Sequence, residues 1–513
     1  MNRSSMTNKE RALEFLQRLR DLKIRVSPVS GMGAAEYGLF LVDLSGWRLR
    51  FSEHTPMIWV RAESAKQLTG RDLDGRLREL VKLRGWARYE CIIVLEGDGR
   101  ELRAQIAQRY SDRFIIVDTD DQRKILDASA FESEKAFLHL VCKQVPLSNL
   151  APYEMSAPVE GSRFFGRERE ISRVLGKLET TFAITGIRRI GKTSLLKEIK
   201  RRMIDQGEDP QRIVWMDCSN ISSLRSFAQE IVMQLHFREL DLLKGRRQQL
   251  FTLSDFLKRM SKMYGGQITI FLDEVDKLLS GPREVRDILS TLRASVHTGD
   301  CRCIAAGFQT LMNALSDSKS PFYRGFEPLP LGTFSERETE NLVLGPMKSL
   351  GVQFENEQSI VTRIQDDTRG HPHLVQYYCS ELINQLERNE TLTVKLSDLS
   401  AIYVSNGLKE ETYNDFRDNL LSQDKLLVYV LLLSFPDTKE TFTQEEMFGS
   451  LRRQGIGLSN EEIDRTCDRL VLAGVFIRDG NKYGFALPIL SAILRKNYNL
   501  VHLLSVAKKG MGL

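Results

Sequence analysis

The sequence predicts an α/β protein built around a parallel sheet, with a separate α/β domain before it and helical segments after it. Three observations carry this expectation. Short apolar runs alternate with helical patterns on both sides of a proline-rich break. One run, "FAIT", leads into a glycine loop that closes on Gly191-Lys192-Thr193 and opens into a helical pattern. Another, "ITIFLD", ends in adjacent acids, Asp273 and Glu274.

With 513 residues, 42% of them hydrophobic and 27% charged, the chain is long enough for several cores. Its 73 basic and 68 acidic residues give a net charge of +5, which neither announces a nucleic-acid binder nor excludes a local basic patch. The seven cysteines are scattered without a Cys-x-x-Cys pair, which reads as buried thiols in a reducing compartment and argues against a zinc site. The opening "MNRSSMTNKERALEFLQRL" lacks the apolar centre of a signal peptide. The longest apolar run, "LLVYVLLLSF" at 426–435, is about half a membrane span. A soluble, cytoplasmic protein without a membrane partner is expected.

Residues 1–145 form the first domain. A helical pattern, "KERALEFLQRLRDL", precedes strand-like "YGLFLVDLS", "WRLRFSE" and "PMIWVRA". A helix, "DLDGRLRELVKLRGW", then leads to alternation through "CIIVLEGD", "ELRAQIAQRY" and "FIIVDTD". Two roles compete for this domain: a sensor or partner-binding module, and a nuclease-like core using Asp43, Glu63 and Lys66. The Glu-x-x-Lys spacing counts against the second, because it puts Glu63 and Lys66 on opposite faces of a strand.

Prolines 146, 152 and 158 mark a linker over 146–163. In 164–334 the runs "TFAIT", "RIVWMD", "QITIFLD", "CRCIAAG" and "FEPLPLG" read as buried parallel strands between helices. Residues 335–415 read as a helical lid. Residues 416–513 read as three helices and a hairpin turning at Asp479-Gly480, which is a winged-helix pattern.

The loop after "FAIT" matches G-x-x-x-x-G-K-[ST]: Gly186, then Ile187, Arg188, Arg189 and Ile190, then Gly191-Lys192-Thr193, with Ser194 continuing the segment into the helix. Glycines let the backbone approach oxygen atoms closely. Successive N–H groups and the positive end of the following helix then cradle phosphates. Lys192 is placed to reach the β- and γ-phosphates and Thr193 to ligate Mg2+. Asp273 at its strand end fits the magnesium shell, and Glu274 fits a group that orients or deprotonates water. Arg188 and Arg189 either touch phosphate or face solvent.

The loop "GIRRIGKTSLL", the strand "FLDEVDKL" and the upstream "FFGREREI" together resemble the AAA+/STAND P-loop ATPases, in particular the prokaryotic origin-recognition-like branch. "SPFYRGFEPLPLGTFSERE", "GHPHLVQYYC" and "YGFALPILSAILR" extend the likeness over about 145–500. The resemblance implies ATP as the nucleotide. It places Gly166 and Arg167 near the adenine and Pro372 against the nucleotide as a lid proline. Arg324 would stand where a neighbouring subunit's arginine finger comes from, or be a surface arginine. Gln309 or Thr310 would contact the γ-phosphate or water. The lid turn reads Gly370-His371-Pro372-His373, without the arginine many of these ATPases carry there. Slow hydrolysis, as in a switch, is therefore expected.

In a helix-turn-helix the second helix meets DNA. Here that helix, "NEEIDRTCDRLVLAG", sets Glu461, Glu462, Asp464 and Asp468 against Arg465 and Arg469. The favoured function is an ATP-binding, slowly hydrolysing regulatory ATPase that couples nucleotide state to homo-oligomerisation or to a protein partner. The alternative is a DNA-binding ATPase of loader, transposition or defence-regulator type.

Overall fold

The structure, a computed structural model, describes residues 7–22, 24–28, 37–50, 55–61, 69, 71–72, 75, 91–109, 114–235, 253–281, 283–320, 322–435 and 441–512. Most of "DLDGRLRELVKLRGW" and both Glu63 and Lys66 lie outside these residues.

The first sheet has five strands in sequence order: β1 (Val26–Pro28), β2 (Tyr37–Val42), β3 (Thr55–Val60), β4 (Cys91–Leu95) and β5 (Phe114–Val117). β2 runs antiparallel to β1 and β3, whereas β3, β4 and β5 are parallel. β4 and β5 are buried at every residue, as expected for parallel strands covered on both faces. The Asn8–Asp21 helix starts on a Thr7–Glu10 capping box and packs beside the Thr119–Asp127 helix. Phe15 meets Phe137 edge-on at 5.7 Å inside this core.

Of the expected strand "WRLRFSE", the first four residues, 47–50, are corrected by the structure, and 51–53 lie outside the described residues. Ser45–Trp47 is one helical turn, and Arg48 has left-handed backbone at φ 55°. Two contacts explain the departure. The Trp47 ring packs on Phe137 at 5.5 Å while its N–H donates to Glu134. The Arg50 backbone N–H donates to the Leu150 carbonyl, and its guanidinium to the Tyr153 carbonyl, so Arg50 binds the 146–163 segment instead of a neighbouring strand. Asp43 is held in its own turn, accepting from the Ser45 N–H and hydroxyl.

The second sheet is fully parallel. Its strands are β6 (Phe182–Thr185), β7 (Ile213–Asp217), β8 (Ile268–Asp273), β9 (Cys301–Gly307) and β10 (Glu327–Pro330), ordered β10-β6-β9-β8-β7. Register places Thr185 beside Gly307 and Asp217 beside Asp273. The ends of the central strands thus open on one edge, where ligands bind in open α/β sheets.

Helices Glu336–Ser349, Glu357–Thr368, Pro372–Arg388, Leu396–Val404 and Asn406–Asn419 follow. They share one continuous core with the first domain, in which Phe137, Leu147, Leu150 and Tyr153 pack with Leu342, Tyr378 and Cys379. The Ser148 N–H donates to Glu387, the Glu154 N–H to Gln376 and the Tyr153 hydroxyl to the Leu342 carbonyl. The 146–163 segment is therefore packed along the lid.

The final region contains the expected three helices, Ser422–Ser434, Gln444–Arg453 and Asn460–Leu472, and the hairpin of Phe476–Asp479 with Lys482–Phe485. A short strand, Thr441–Thr443, completes a three-stranded antiparallel sheet. Two further helices, Pro488–Asn497 and Leu500–Gly510, wrap back, the second lying along Ser422–Ser434. The apolar run legible from the sequence is this central Ser422–Ser434 helix, buried continuously from Leu426 to Leu432. Among the described residues no helix is long and apolar enough to cross a membrane.

Candidate functional site

The glycine loop leaves the end of β6 and enters the Lys192–Asp205 helix. A Cβ at Gly186 would stand 3.0 Å from the Leu331 carbonyl oxygen, and Gly191 turns the chain into the helix at φ 99°. Lys192 folds back beneath the loop: its Nζ donates to the Gly186 and Ile187 carbonyls, 2.9 Å each. Burial pulls this ammonium below the ordinary lysine range, and Glu274, Asp276 and Asp273 oppose the shift. An anion bound at the loop would act in the same direction as those carboxylates.

Across the sheet, the Thr193 hydroxyl donates to Asp273 at 2.8 Å, joining the loop to the end of β8. Burial raises Asp273 above the usual carboxylate range. Glu274 has left-handed backbone, φ 53°, and its N–H donates to Asp273. Such a conformation is strained for a residue with a Cβ and concentrates at functional sites. Asp276 is a residue that motif reading overlooks. Its carboxylate accepts from the N–H groups of Phe308, Thr310 and Leu311 at 2.6–3.1 Å, so it caps the Gln309–Ser316 helix from a distance. A signal was available: that helix begins after Phe308, which has no side-chain acceptor of its own.

The lid completes the site. Arg188 to Ser194, Glu274, Arg167 and Pro372 line one cavity of about 510 Å3, with Phe164, Phe334 and His373 on its walls. Arg167 is buried. It donates to the Gly332 carbonyl at 2.6 Å and lies over the Phe334 ring at 4.6 Å. Pro372 is the first residue of its helix. Gly166 adjoins Arg167 with φ 71°. Ile190 is buried, and the Ser194 hydroxyl accepts from the Val159 N–H, tying the 146–163 segment to the loop helix. Arg324 lies outside the cavity: it is exposed, with its guanidinium over Tyr323.

Sequence reasoning gave no hint of the role of the Asn406–Asn419 helix. It lies directly against the loop. The Arg188 N–H donates to the Asn419 side chain at 2.5 Å. Gln309 donates to the Asn419 carbonyl at 3.1 Å. Arg189, itself at φ 62°, donates to Glu411 at 2.8 Å and Asp415 at 3.1 Å and sits 3.0 Å from the His373 ring. Asp418 also lines the cavity. Of the two loop arginines, Arg189 is thus turned to carboxylates.

Burial pushes His371 down to about 3 and Asp415 up to about 7. Between pH 4 and 6.5 the folded pair carries its proton on Asp415, and the unfolded pair carries it on His371. The proton counts match, so the two contributions to the pH dependence of stability cancel. Asp415→Asn removes one half. The unfolded state then binds one proton more than the folded state, and stability rises with pH through this window by at most about 1.4 kcal/mol per pH unit. Urea midpoints of wild type and variant between pH 4.5 and 6.5 check this; equal slopes for the two proteins refute it.

A glycine loop seated between β6 and a helix, facing the acids of β8 across a parallel sheet, defines a P-loop NTPase. The family profile described as novel STAND NTPase 1 matches residues 146–499, more than half of the chain, and the protein belongs to that family. No curated protein matches the sequence at a significant level. Among solved structures, the chain is similar to a Walker-type ATPase of Pyrococcus abyssi, at 16% identity over 67% of this chain and 99% of that one, with a TM-score of 0.47. It is also similar to the ORC2 protein of Aeropyrum pernix in ADPNP–ADP complexes, at 13% identity over 70% and 97%, with a TM-score of 0.49. The ORC1 protein of the same organism, in complex with DNA, aligns at 14% identity over 68% and 96%, with a TM-score of 0.34.

Proposed function

We propose that the protein is an ATP-driven switch in which the triphosphate and the acidic face of the Asn406–Asn419 helix compete for the cations of the loop. The carrying observation is Arg189, a loop residue held by Glu411 and Asp415. A triphosphate in the cradle would face Asp415 and Asp418 at close range, and like charges in a partly desolvated cavity repel. Binding would draw Arg189 toward phosphate and loosen the helix. That helix packs on Pro488–Asn497 and meets the lid, so its release would reach both the C-terminal region and the first domain.

The Thr193 hydroxyl and the Asp273 carboxylate are hard oxygen donors, which suit Mg2+ sharing its shell with phosphate and water. These two residues would hold the ion, which supplies charge neutralisation at the phosphates. Glu274 would act on the attacking water. The lid turn offers His371 and His373 in place of an arginine, which supports slow turnover and an output through homo-oligomerisation or a protein partner. Arg324 is available to a neighbouring subunit because it is exposed. DNA contact through Asn460–Leu472 loses support, because Arg469 is turned inward onto buried Asp424 and Arg465 is paired with Glu461.

In a Glu274→Gln background, chosen to hold ATP unhydrolysed, Glu411→Gln is expected to tighten ATP binding about three- to tenfold by weakening the competing carboxylates. Titration calorimetry reads the affinity, and mass photometry with and without ATP reads assembly. Unchanged affinity removes the competition, and a mass independent of nucleotide removes the assembly output.

A further inference from the structure

The nucleotide cavity has two unlike portions. The loop supplies cations and backbone N–H groups. Phe164, Phe165, Phe334 and Leu342 make an aromatic and apolar portion, with the strip 154–159 beside them. With the phosphates on the loop, the base of a nucleotide is left to that portion, which suits a flat ring. The first domain holds this wall from outside. The Arg48 guanidinium lies over the Phe165 ring at 5.1 Å. The Arg50 guanidinium donates to the Tyr153 carbonyl at 2.6 Å and stands 3.9 Å from the Glu154 carboxylate. The Ser45–Trp47 turn, just before both arginines, packs beside the Gly161–Arg163 turn that follows the strip. We propose that Arg48 and Arg50 are positioning residues for nucleotide binding, through which the first domain sets the wall that receives the base. The proposal rests on the nucleotide reading of this cavity.

Tyr153 and Glu154 join three parts of the molecule. Besides Arg50 they hold the lid: the Tyr153 hydroxyl donates to the Leu342 carbonyl and the Glu154 N–H to the Gln376 side chain, and both Leu342 and Gln376 line the cavity. The Glu154 carboxylate also accepts from the Ser156 N–H and hydroxyl, at 3.1 and 2.7 Å, which fixes the next turn of the strip. Arg48 holds left-handed backbone at φ 55°, which persists in a residue with a Cβ only where the surroundings over-determine it. Its guanidinium over Phe165 is such a contact, although Arg48 itself is exposed. Neither arginine lines the cavity, so both act through the wall on the base and not on the phosphates. The coupling is reciprocal: a base against the wall steadies the turn of the first domain.

The test titrates the full chain with ATP and with ribose 5-triphosphate, which keeps sugar and phosphates and lacks the base, each with magnesium. Arg48→Gly removes the guanidinium while relieving the left-handed backbone. It is expected to keep wild-type thermal stability and to bind ATP about three- to fivefold more weakly. Arg50→Ala is expected to weaken ATP binding about tenfold. Both variants are expected to bind ribose 5-triphosphate as wild type does, and Arg48→Lys, which keeps a cation for the ring, to recover ATP affinity. Wild-type ATP affinity in the folded variants overturns the proposal. So does an equal loss for both ligands, which marks a general loosening, or equal affinity of wild type for both, which means that no base is received. Should Arg50→Ala not fold, the two Arg48 variants decide. No ATP binding by wild type refutes the nucleotide reading itself, and this proposal with it. Hydrogen exchange across 45–50 is expected to slow with ATP and not with ribose 5-triphosphate; no difference between the two overturns the reciprocal coupling.

Discussion

Lys192→Ala is expected to weaken ATP binding by about 100-fold. The Nζ lies under the loop, buried and bonded to the two carbonyls that begin it, so it is already positioned before an anion arrives. A hydrogen bond to a charged group contributes about 1.5–3 kcal/mol, and more than one phosphate oxygen is within the reach expected of this lysine. At 1.4 kcal/mol per tenfold, about two powers of ten follow. Alanine also leaves the Gly186 and Ile187 carbonyls without their donor, so a small loss of thermal stability accompanies the loss of affinity. Calorimetric titration with ATP and magnesium, read beside a melting curve, separates the two. Wild-type affinity in a folded variant refutes the nucleotide-site assignment for this loop.

The largest loss of stability is expected at Asp424. This carboxylate is fully buried, accepts from the Leu421 N–H at 3.1 Å and pairs with Arg469 at 2.6 Å. It stands in the first turn of the central helix of the C-terminal region, where a negative charge also suits the helix end. Removing one member of a buried pair costs about 3–5 kcal/mol, because the other charge is left without compensation. Arg469 keeps some contact with water, which favours the lower end, so Asp424→Ala is expected to cost about 3 kcal/mol. Replacing both residues, as Asp424→Leu with Arg469→Met, should recover most of that loss. Urea unfolding of the three proteins measures the difference. A cost under about 1 kcal/mol for Asp424→Ala would make the pair no stronger than a surface ion pair.

The loop and the acids of β8 were readable because their chemistry is local. A tight turn needs glycine at set positions, and a strand end carries its acid whatever surrounds it. The strand pattern of the second sheet was readable for a similar reason, since buried parallel strands are short apolar runs. What escaped depends on distant partners. Asn419 meets Arg188 across more than two hundred residues, and nothing in "DFRDNLLS" announces a contact with a phosphate loop. The neutral state of His371 comes from burial first and then from His373, Arg189 and Arg167 nearby, none of which spacing encodes. The first half of "WRLRFSE" departed for the opposite reason: its alternation is genuine, but Trp47 and Arg50 found partners in Phe137, Glu134 and the 146–163 segment instead of a strand neighbour. Arg469 looked like one of two positive charges on an outward helix face and instead belongs to the interior.

The shared core of the first domain and the lid has a mechanical meaning. Tyr153, Leu150 and Phe137 are set among lid side chains, and Ser148 and Glu154, in the first half of the proline-rich stretch, are both pinned to the Pro372–Arg388 helix. A tether built this way transmits torque. In the proposed switch, a tilt of the lid on nucleotide binding would carry the first sheet with it, so that a small rotation near the phosphates would become a larger displacement at the far edge of that sheet. The proline-rich stretch, which reads as slack in the sequence, is tied to the lid and to the loop helix, and in the proposed switch it would be the coupling between them and the first sheet.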